Sequence, residues 1–406
     1  MNGDRPPSPA ARPGLLLGLG LGFSTATQFR GPGGIGPAEA LLGTWCVLAA
    51  VGLARGRRFR MTAPAMTFAV FWAIALASIS AGWLVGMATH VSANESVRDF
   101  LAFLLSATVF GLLLTREGAG EEALRAAYVY SLVTVLGLGL LLLASFLNGG
   151  KLGPFDVWYF GLRFQGWATN PNQTALAVLP IPFLAFYLGR GRTRVQRIFL
   201  ALIALGAVAL GIITQSDALT VAWILSLVVA LPMAWLWRVT RPIRGFWASV
   251  SLKVLIPVMA LLVVVVTVPM FAHKVAAKTA ERFNAAGQSE GRIERWRNGM
   301  ISATTSPVVG LGPGPFSGPR NSFGHEEAHN TVVDWTASTG VVGFAGLLLL
   351  LATAVIATIR RRSATLLGML LALIFFMAFH YVMRQPAFWL VLLLPQLLPV
   401  DDPRAA

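Results

Sequence analysis

Apolar residues run along this chain in stretches of roughly twenty, separated by short intervals rich in Gly, Pro and arginine. Coiled as helix, such a stretch crosses a hydrocarbon core of about 30 Å. A helix also satisfies its own backbone where lipid offers no hydrogen-bond partner, and no alternating pattern of a β-barrel competes. The pattern therefore predicts an all-α, polytopic transmembrane helix bundle of about twelve spans. Their centres fall near Leu21, Val47, Ile74, Leu105, Leu138, Leu179, Leu205, Leu227, Leu261, Leu348, Leu371 and Leu392.

The longest polar interval separates the ninth and tenth spans, and it divides the chain. Residues 1–13 form an N-terminal tail, 14–271 the first nine spans, 272–336 a long loop, 337–399 the last three spans and 400–406 a C-terminal tail. Within the loop, Lys274 to Asn284 and Arg292 to Thr304 have helical patterning, and Gly310 to Gly324 is rich in Gly-Pro turns. The polar, basic N-terminus precedes Gly14-Leu15-Leu16-Leu17 with no small-residue cleavage site ahead of a soluble domain, so the first span reads as retained.

Composition agrees: 56% of residues are hydrophobic and only 12% charged, which leaves too much apolar surface for water. A net charge of +15 would suggest nucleic acid in a soluble protein. Here the arginines collect in short connections and report topology instead, so no nucleic-acid partner is expected. Arg55, Arg57, Arg58 and Arg60 follow the second span, and Arg190, Arg192, Arg194 and Arg197 the sixth. Arg238, Arg241 and Arg244 follow the eighth, and Arg360, Arg361 and Arg362 the tenth. Positive residues in short loops stay in the cytoplasm, which places both termini there and sends the odd-numbered exits to the other side. His90, His273, His325, His329 and His380 are all the histidines of the chain, and all fall on that outer side. The single cysteine, Cys46, lies in an apolar run and excludes an intrachain disulfide.

Three outer segments carry groups suited to a diphosphate. Arg163 offers a guanidinium fork that matches phosphate oxygens, and Asn170-Pro171-Asn172 opens a helix whose amides can meet an anion. A snorkelling arginine and an ordinary asparagine cap explain the same residues, and for Asn170 to Asn172 alone the cap weighs more. Arg292 and Arg295 are neighbours on a helix beside Glu294 and Trp296, as they would be on a solvated amphipathic helix at the membrane surface. His329-Asn330 precedes a new span. There the imidazole can take a proton, donate to phosphate, or simply begin a helix.

In this order the segments resemble the O-antigen ligase and polymerase family of bacterial envelope glycosyltransferases. The features are Arg163-x-x-Gly166 with Asn170-Pro171-Asn172, Arg292-x-x-x-Trp296 with Pro307-x-x-Gly310-x-Gly312, and His329-Asn330 with Gly340-x-x-Gly343, covering about Arg163 to Gly343. The resemblance implies metal-independent, inverting transfer of a glycan from undecaprenyl diphosphate at the periplasmic face of a bacterial inner membrane, with no cofactor. The acceptor would be a lipid A core sugar for a ligase, or another lipid-linked repeat unit for a polymerase. Arg163 and Arg292 would hold the diphosphate and His329 would stand at the reacting centre. Asn170, Asn172, Arg295, Arg320 and Asn330 would contact substrate. Glu294 and Glu327 are alternative bases, and Arg384 and His380 can reach the same cavity. One departure is Ser216-Asp217, where many relatives carry Ser-Arg: a carboxylate there opposes a diphosphate.

Two other readings compete. His325-Glu326-Glu327-Ala328-His329 satisfies H-E-x-x-H, which binds zinc when both histidines lie one turn apart on a helix and a third ligand follows. The residues before it read as loop, the next span begins near Asn330, and the only later acids are Asp334, Asp401 and Asp402, so no metal is expected. A transporter of lipid-linked sugars would place ionisable residues at span centres, where this chain has few.

Overall fold

A computed structural model describes residues 12–31, 34–55, 58–91, 96–149, 151–239, 288–318 and 320–398. The ninth span expected near Leu261, the helix expected over Lys274 to Asn284, His273 and nearly all of both tails lie outside the described residues. The helices are α1 (Arg12–Gly22), α2 (Pro37–Ala54), α3 (Ala63–Ala88), α4 (Ser96–Leu114), α5 (Ala119–Leu147), α6 (Pro171–Val178) and α7 (Ile181–Gly189). They continue as α8 (Arg194–Ile213), α9 (Asp217–Val239), α10 (Gln288–Thr305), α11 (Thr331–Arg360), α12 (Ala364–Met377) and α13 (Pro386–Leu397). Among the described residues, 8 helical segments are long and apolar enough to cross a membrane, and three shorter apolar helices accompany them. The protein is a polytopic all-α membrane bundle. Its outward faces carry exposed leucines and isoleucines such as Leu84, Leu140, Leu205 and Ile212, a surface suited to lipid.

Local chemistry sets the helix starts. The Thr193 hydroxyl accepts from the Gln196 amide while the Gln196 side chain accepts from the Thr193 amide, a reciprocal cap that begins α8 straight after its arginines. Thr62 and Ser363 begin α3 and α12 in the simpler way.

The expected sixth span is divided into α6 and α7. Pro180 and Pro182 lack the N–H groups that would continue the ladder. The break is buried, and side chains supply donors to the carbonyls beside it: the Tyr130 hydroxyl on α5 to Ala177, and the Trp223 indole on α9 to Leu179 at 3.0 Å. The first, eleventh and twelfth spans are shorter than expected. For the last two the cause is plain: residues 378–385 leave the helix and form a half-buried loop that carries His380 and Arg384 into the bundle.

The tenth span, α11, is kinked at Gly340, whose φ of 65° and ψ of −169° no helix contains. There the Gly-Pro segment after α10 lies backbone to backbone on α11. Leu311 N–H donates to Ala337 O at 2.8 Å, Gly312 N–H to Ser338 O at 3.1 Å, and Val341 N–H to Pro307 O at 2.8 Å. A Cβ on Gly340 would collide with the Val308 backbone, and one on Gly312 would stand 2.6 Å from the Trp83 amide nitrogen of α3. A buried irregular loop is possible here because its polar groups are satisfied by the kinked helix. Beneath it, Phe71, Trp72, Phe103, Trp335 and Trp389 pack ring against ring, and the Trp335 indole donates to Gly343 O across the kink at 2.9 Å.

Connections of like parity meet. On one side, Arg60 N–H donates to Thr115 O at 2.8 Å, Arg190 to the Thr365 hydroxyl at 2.8 Å, and Arg361 to Leu398 O. These contacts join the α2–α3, α4–α5, α7–α8 and α11–α12 connections and the end of α13. On the other, Gln28 reaches Ala168 O at 2.7 Å, and further contacts between outer loops build the site described next.

Candidate active site

Between α5 and α6 the chain forms two small hairpins, of which the second pairs β3 (Trp158–Tyr159) with β4 (Arg163–Phe164); the first pairs β1 (Lys151–Leu152) with β2 (Phe155–Asp156). The turn at Phe160 and Gly161 has positive φ at both residues and presents Arg163 opposite Tyr159. Arg163 Nε donates to Thr214 O at 3.0 Å, at the C-terminal end of α8 where helix carbonyls carry partial negative charge. Its Nη2 donates to Asn172 Oδ1 at 3.2 Å. Gln215 returns a bond to Leu162 O at 3.3 Å, so hairpin and α8–α9 turn are stitched together with Asp217 at the first position of α9. Asn170 caps α6, its side chain accepting from the Asn172 amide at 2.9 Å.

Arg292 and Arg295 lie on α10, which packs on α11 through Gly299: a Cβ there would stand 2.6 Å from Val333 Cγ1. Buried Asn298 donates to Gly318 O at 2.6 Å and fixes the following loop to the helix. Arg295 grips Glu326 through Nε at 3.0 Å and Nη2 at 2.8 Å, while Glu326 pairs its backbone with Ser317 in both directions. Among the described residues Arg292 makes no ion pair or side-chain hydrogen bond, although it is half-buried.

His329 stands immediately before α11 with φ at 56°, a backbone conformation uncommon for a residue with a Cβ. The Asp334 carboxylate holds it there, accepting from the Ala328 amide at 2.8 Å and the Asn330 amide at 3.2 Å, one on each side. Asn330 caps α11, accepting from Val332 and Val333 amides at 2.9 and 3.2 Å, and its Nδ2 donates to Ala378 O at 3.0 Å. Thr331 ties the α12–α13 loop by donating to His380 O at 2.5 Å and accepting from the Val382 amide at 3.3 Å. The His329 and His380 rings consequently sit 6.1 Å apart, edge to face.

These groups act on one another electrostatically. Burial first, then the charges of Arg295 and Arg292, push the His329 imidazole down to about 4, against the opposing pull of Glu326. His380 falls to about 3 through burial and the nearby His329, Arg292 and Arg163. Burial also lowers both Arg163 and Arg292, and Asp217 opposes it in each case. Both imidazoles are therefore neutral at neutral pH and able to accept a proton. Asp217 belongs to this cluster as a carboxylate whose charge reaches both arginines without pairing directly with either.

Arg292 and Arg295 of α10 thus act on His329, Arg163 of the hairpin acts on Arg292 and His380, and Asn172 orients Arg163. The side chains of Asn170 and Asn330 serve as helix caps. Arg320 is exposed in the loop between α10 and α11, outside the set of cations that act on His329. His325 and His329 lie in a non-helical loop, with Glu326 turned to Arg295, so they do not share the helical face that an H-E-x-x-H zinc site needs. Among the described residues no group of three or more His, Cys, Asp or Glu could hold a metal ion. The sequence offered Asp334 only as an acid following the histidines and did not single out Asp99, although a carboxylate at the start of an apolar span is itself a signal.

Residues 212–348 match the family model described as O-antigen ligase. Over that segment the chain is similar to the O-antigen ligases. No curated protein matches the chain. The matched segment contains Asp217, Arg292, Arg295, His329 and Asn330, whereas Arg163, Asn172, His380 and Arg384 approach it from outside the matched residues. This similarity supports a membrane function of the glycan ligase or polymerase type.

Proposed function

We propose that this protein transfers a glycan from undecaprenyl diphosphate to an acceptor sugar of the lipid A core, at the periplasmic face of a bacterial inner membrane. The acceptor hydroxyl attacks the anomeric carbon as its proton passes to His329. The new glycosidic bond forms from the face opposite the leaving group, and the old anomeric carbon–oxygen bond breaks with its electron pair remaining on the diphosphate. Negative charge therefore grows on the leaving group. Arg163 and Arg292 stabilise it, and in a partly dehydrated site fixed cations do so far more strongly than in water. No divalent metal is then required.

The observation that carries this reading is Arg292: a half-buried guanidinium without an ion partner among the described residues, beside a second guanidinium and a neutral imidazole. A buried charge left unpaired is costly, and an anionic ligand relieves that cost. Asp217 moderates the field, which favours release of the diphosphate after transfer. In the same frame Arg295, held by Glu326, adds to the positive potential.

The test uses purified protein in liposomes with lipid-diphosphate glycan and core acceptor, reading glycan transfer and free undecaprenyl diphosphate. Arg292→Ala is expected to lower kcat by about 10²–10³-fold, as for loss of one transition-state donor. His329→Ala is expected to abolish transfer, while His325→Ala and added chelator leave it intact. Equal collapse of both histidine variants with rescue by zinc, or movement of intact donor between leaflets without cleavage, would overturn the reading. Consumption of donor with a second lipid-linked repeat unit, but not with core, would make it a polymerase.

A further inference from the structure

A chain of charged groups runs from the bundle interior to His329. Asp99 lies in the first turn of α4 and is 2% exposed, with its carboxylate 2.7 Å from Arg384 Nη1. The other arginine near it, Arg98, is exposed and 3.9 Å away. Arg384 turns its Nη2 to Glu327 Oε1, and Glu327 Oε2 stands 3.7 Å from His329 Nδ1. The guanidinium rests over the Tyr381 ring at 5.1 Å, which restricts it further. Four residues from α4, the α10–α11 loop and the α12–α13 loop therefore stand in series.

We propose that Asp99, Arg384 and Glu327 are positioning residues that orient His329 for proton transfer, with Glu327 as the group that faces the imidazole. This rests on the transferase reading above and deepens it.

The physical basis is the sequence of constraints. A buried carboxylate requires a fixed cation, and an arginine cannot lose its charge, so Asp99 anchors Arg384. One end of the planar fork is then committed to Asp99 and the other is aimed at Glu327, which becomes localised although its loop is half-exposed. At 3.7 Å the Glu327–His329 contact is longer than a hydrogen bond, so it closes fully only when Nδ1 carries positive charge or substrate tightens the site. A carboxylate facing Nδ1 favours the tautomer with its proton there and leaves the Nε2 lone pair free. As the acceptor O–H bond breaks and Nε2–H forms, the resulting imidazolium is stabilised by Glu327, in the manner of a base oriented by a third group. The other groups acting on His329 are Arg292 and Arg295 of α10, Glu326 of its own loop and His380 of the α12–α13 loop. Both arginines disfavour the imidazolium, which makes an opposing carboxylate at Nδ1 the more useful.

The experiment uses the full chain in liposomes, with transfer kinetics and imidazole ¹⁵N shifts in ¹⁵N-histidine-labelled protein. Glu327→Gln is expected to lower kcat at least 10-fold with donor KM within 2-fold, by analogy with loss of general acid–base assistance. It is also expected to have no further effect in a His329→Ala background. Arg384→Ala strands Asp99 and can prevent folding, so Asp99→Asn/Arg384→Gln serves as the second variant: it removes both charges and retains polar side chains. Its expected result is the same kcat loss with unchanged donor KM, and a shift of His329 from the Nδ1–H tautomer toward a mixture. A fall in melting temperature alone, with kcat and the His329 tautomer as in the parent protein, would overturn the proposal. The tautomer is read without turnover. A parent protein that shows the Glu327-dependent tautomer but no glycan transfer would refute the transferase reading while leaving the orientation of His329 by Glu327 in place.

Discussion

At the scale of single residues, the site is governed by what surrounds each ionisable group. His329 is neutral at neutral pH because burial and two guanidiniums disfavour its cation, with its proton affinity pushed down to about 4. If it serves as base, it stays competent well below the usual histidine range. The acid limb of kcat/KM is therefore expected near pH 4, and a limb near 6.5 in otherwise stable protein would remove His329 from that role. The sign for stability follows from the same shift. Above about pH 6.5 both folded and unfolded forms leave the imidazole neutral; as pH falls toward 4 only the unfolded chain gains the proton, so stability declines across that window. His380, lowered to about 3, acts in the same direction. The residue types were visible in the chain, whereas their shifts were not: His329 is separated by 37 positions from Arg292 but owes part of its shift to that arginine's position in space. The role of Asp334 was not legible, because nothing in sequence marks a carboxylate as the acceptor that grips the amides on both sides of a histidine.

At the scale of elements, hydropathy located the spans well because lipid demands continuous apolar helix. It gave their lengths less well where tertiary partners replace that continuity. The division between α6 and α7 is tolerated because Tyr130 and Trp223 bond the carbonyls beside it, and those donors are 47 and 44 residues away. The kink of α11 has the same character: Gly340-x-x-Gly343 stands in the sequence as a pattern, and the reason for Gly340 is the buried loop over residues 307–312. Gly340→Ala would place a Cβ against the Val308 backbone at a positive φ, and is expected to cost about 1–3 kcal/mol of stability and to impair transfer. Gly139→Ala in α5, where a Cβ meets nothing within 4 Å, is expected to be neutral or stabilising by up to about 1 kcal/mol. Thermal unfolding in detergent compares the two; equal melting temperatures would show that the loop does not depend on the kink.

At the scale of the whole molecule, the arginine-bearing connections and the site-bearing connections form two separate sets, each internally bonded. The excess of arginine in the first set predicts that it faces the cytoplasm. In a Cys46→Ser background, Arg192→Cys is expected to resist a membrane-impermeant maleimide applied from outside the inner membrane, and His325→Cys to react with it. The opposite pattern would invert the protein in the membrane and remove the periplasmic assignment of the site. What the sequence determined by itself was membrane residence, the placement of most spans, the parity of the loops and the residue types able to meet a diphosphate. Those follow from transfer free energies and charge, which act on each segment where it stands. Only the tertiary structure decided that the charge of Asp217 reaches two arginines, that Asn170 and Asn330 are committed as caps, and that Asp99 reaches His329 through Arg384 and Glu327. Such relations join positions far apart in the chain, and they exist only once packing has fixed which loop meets which.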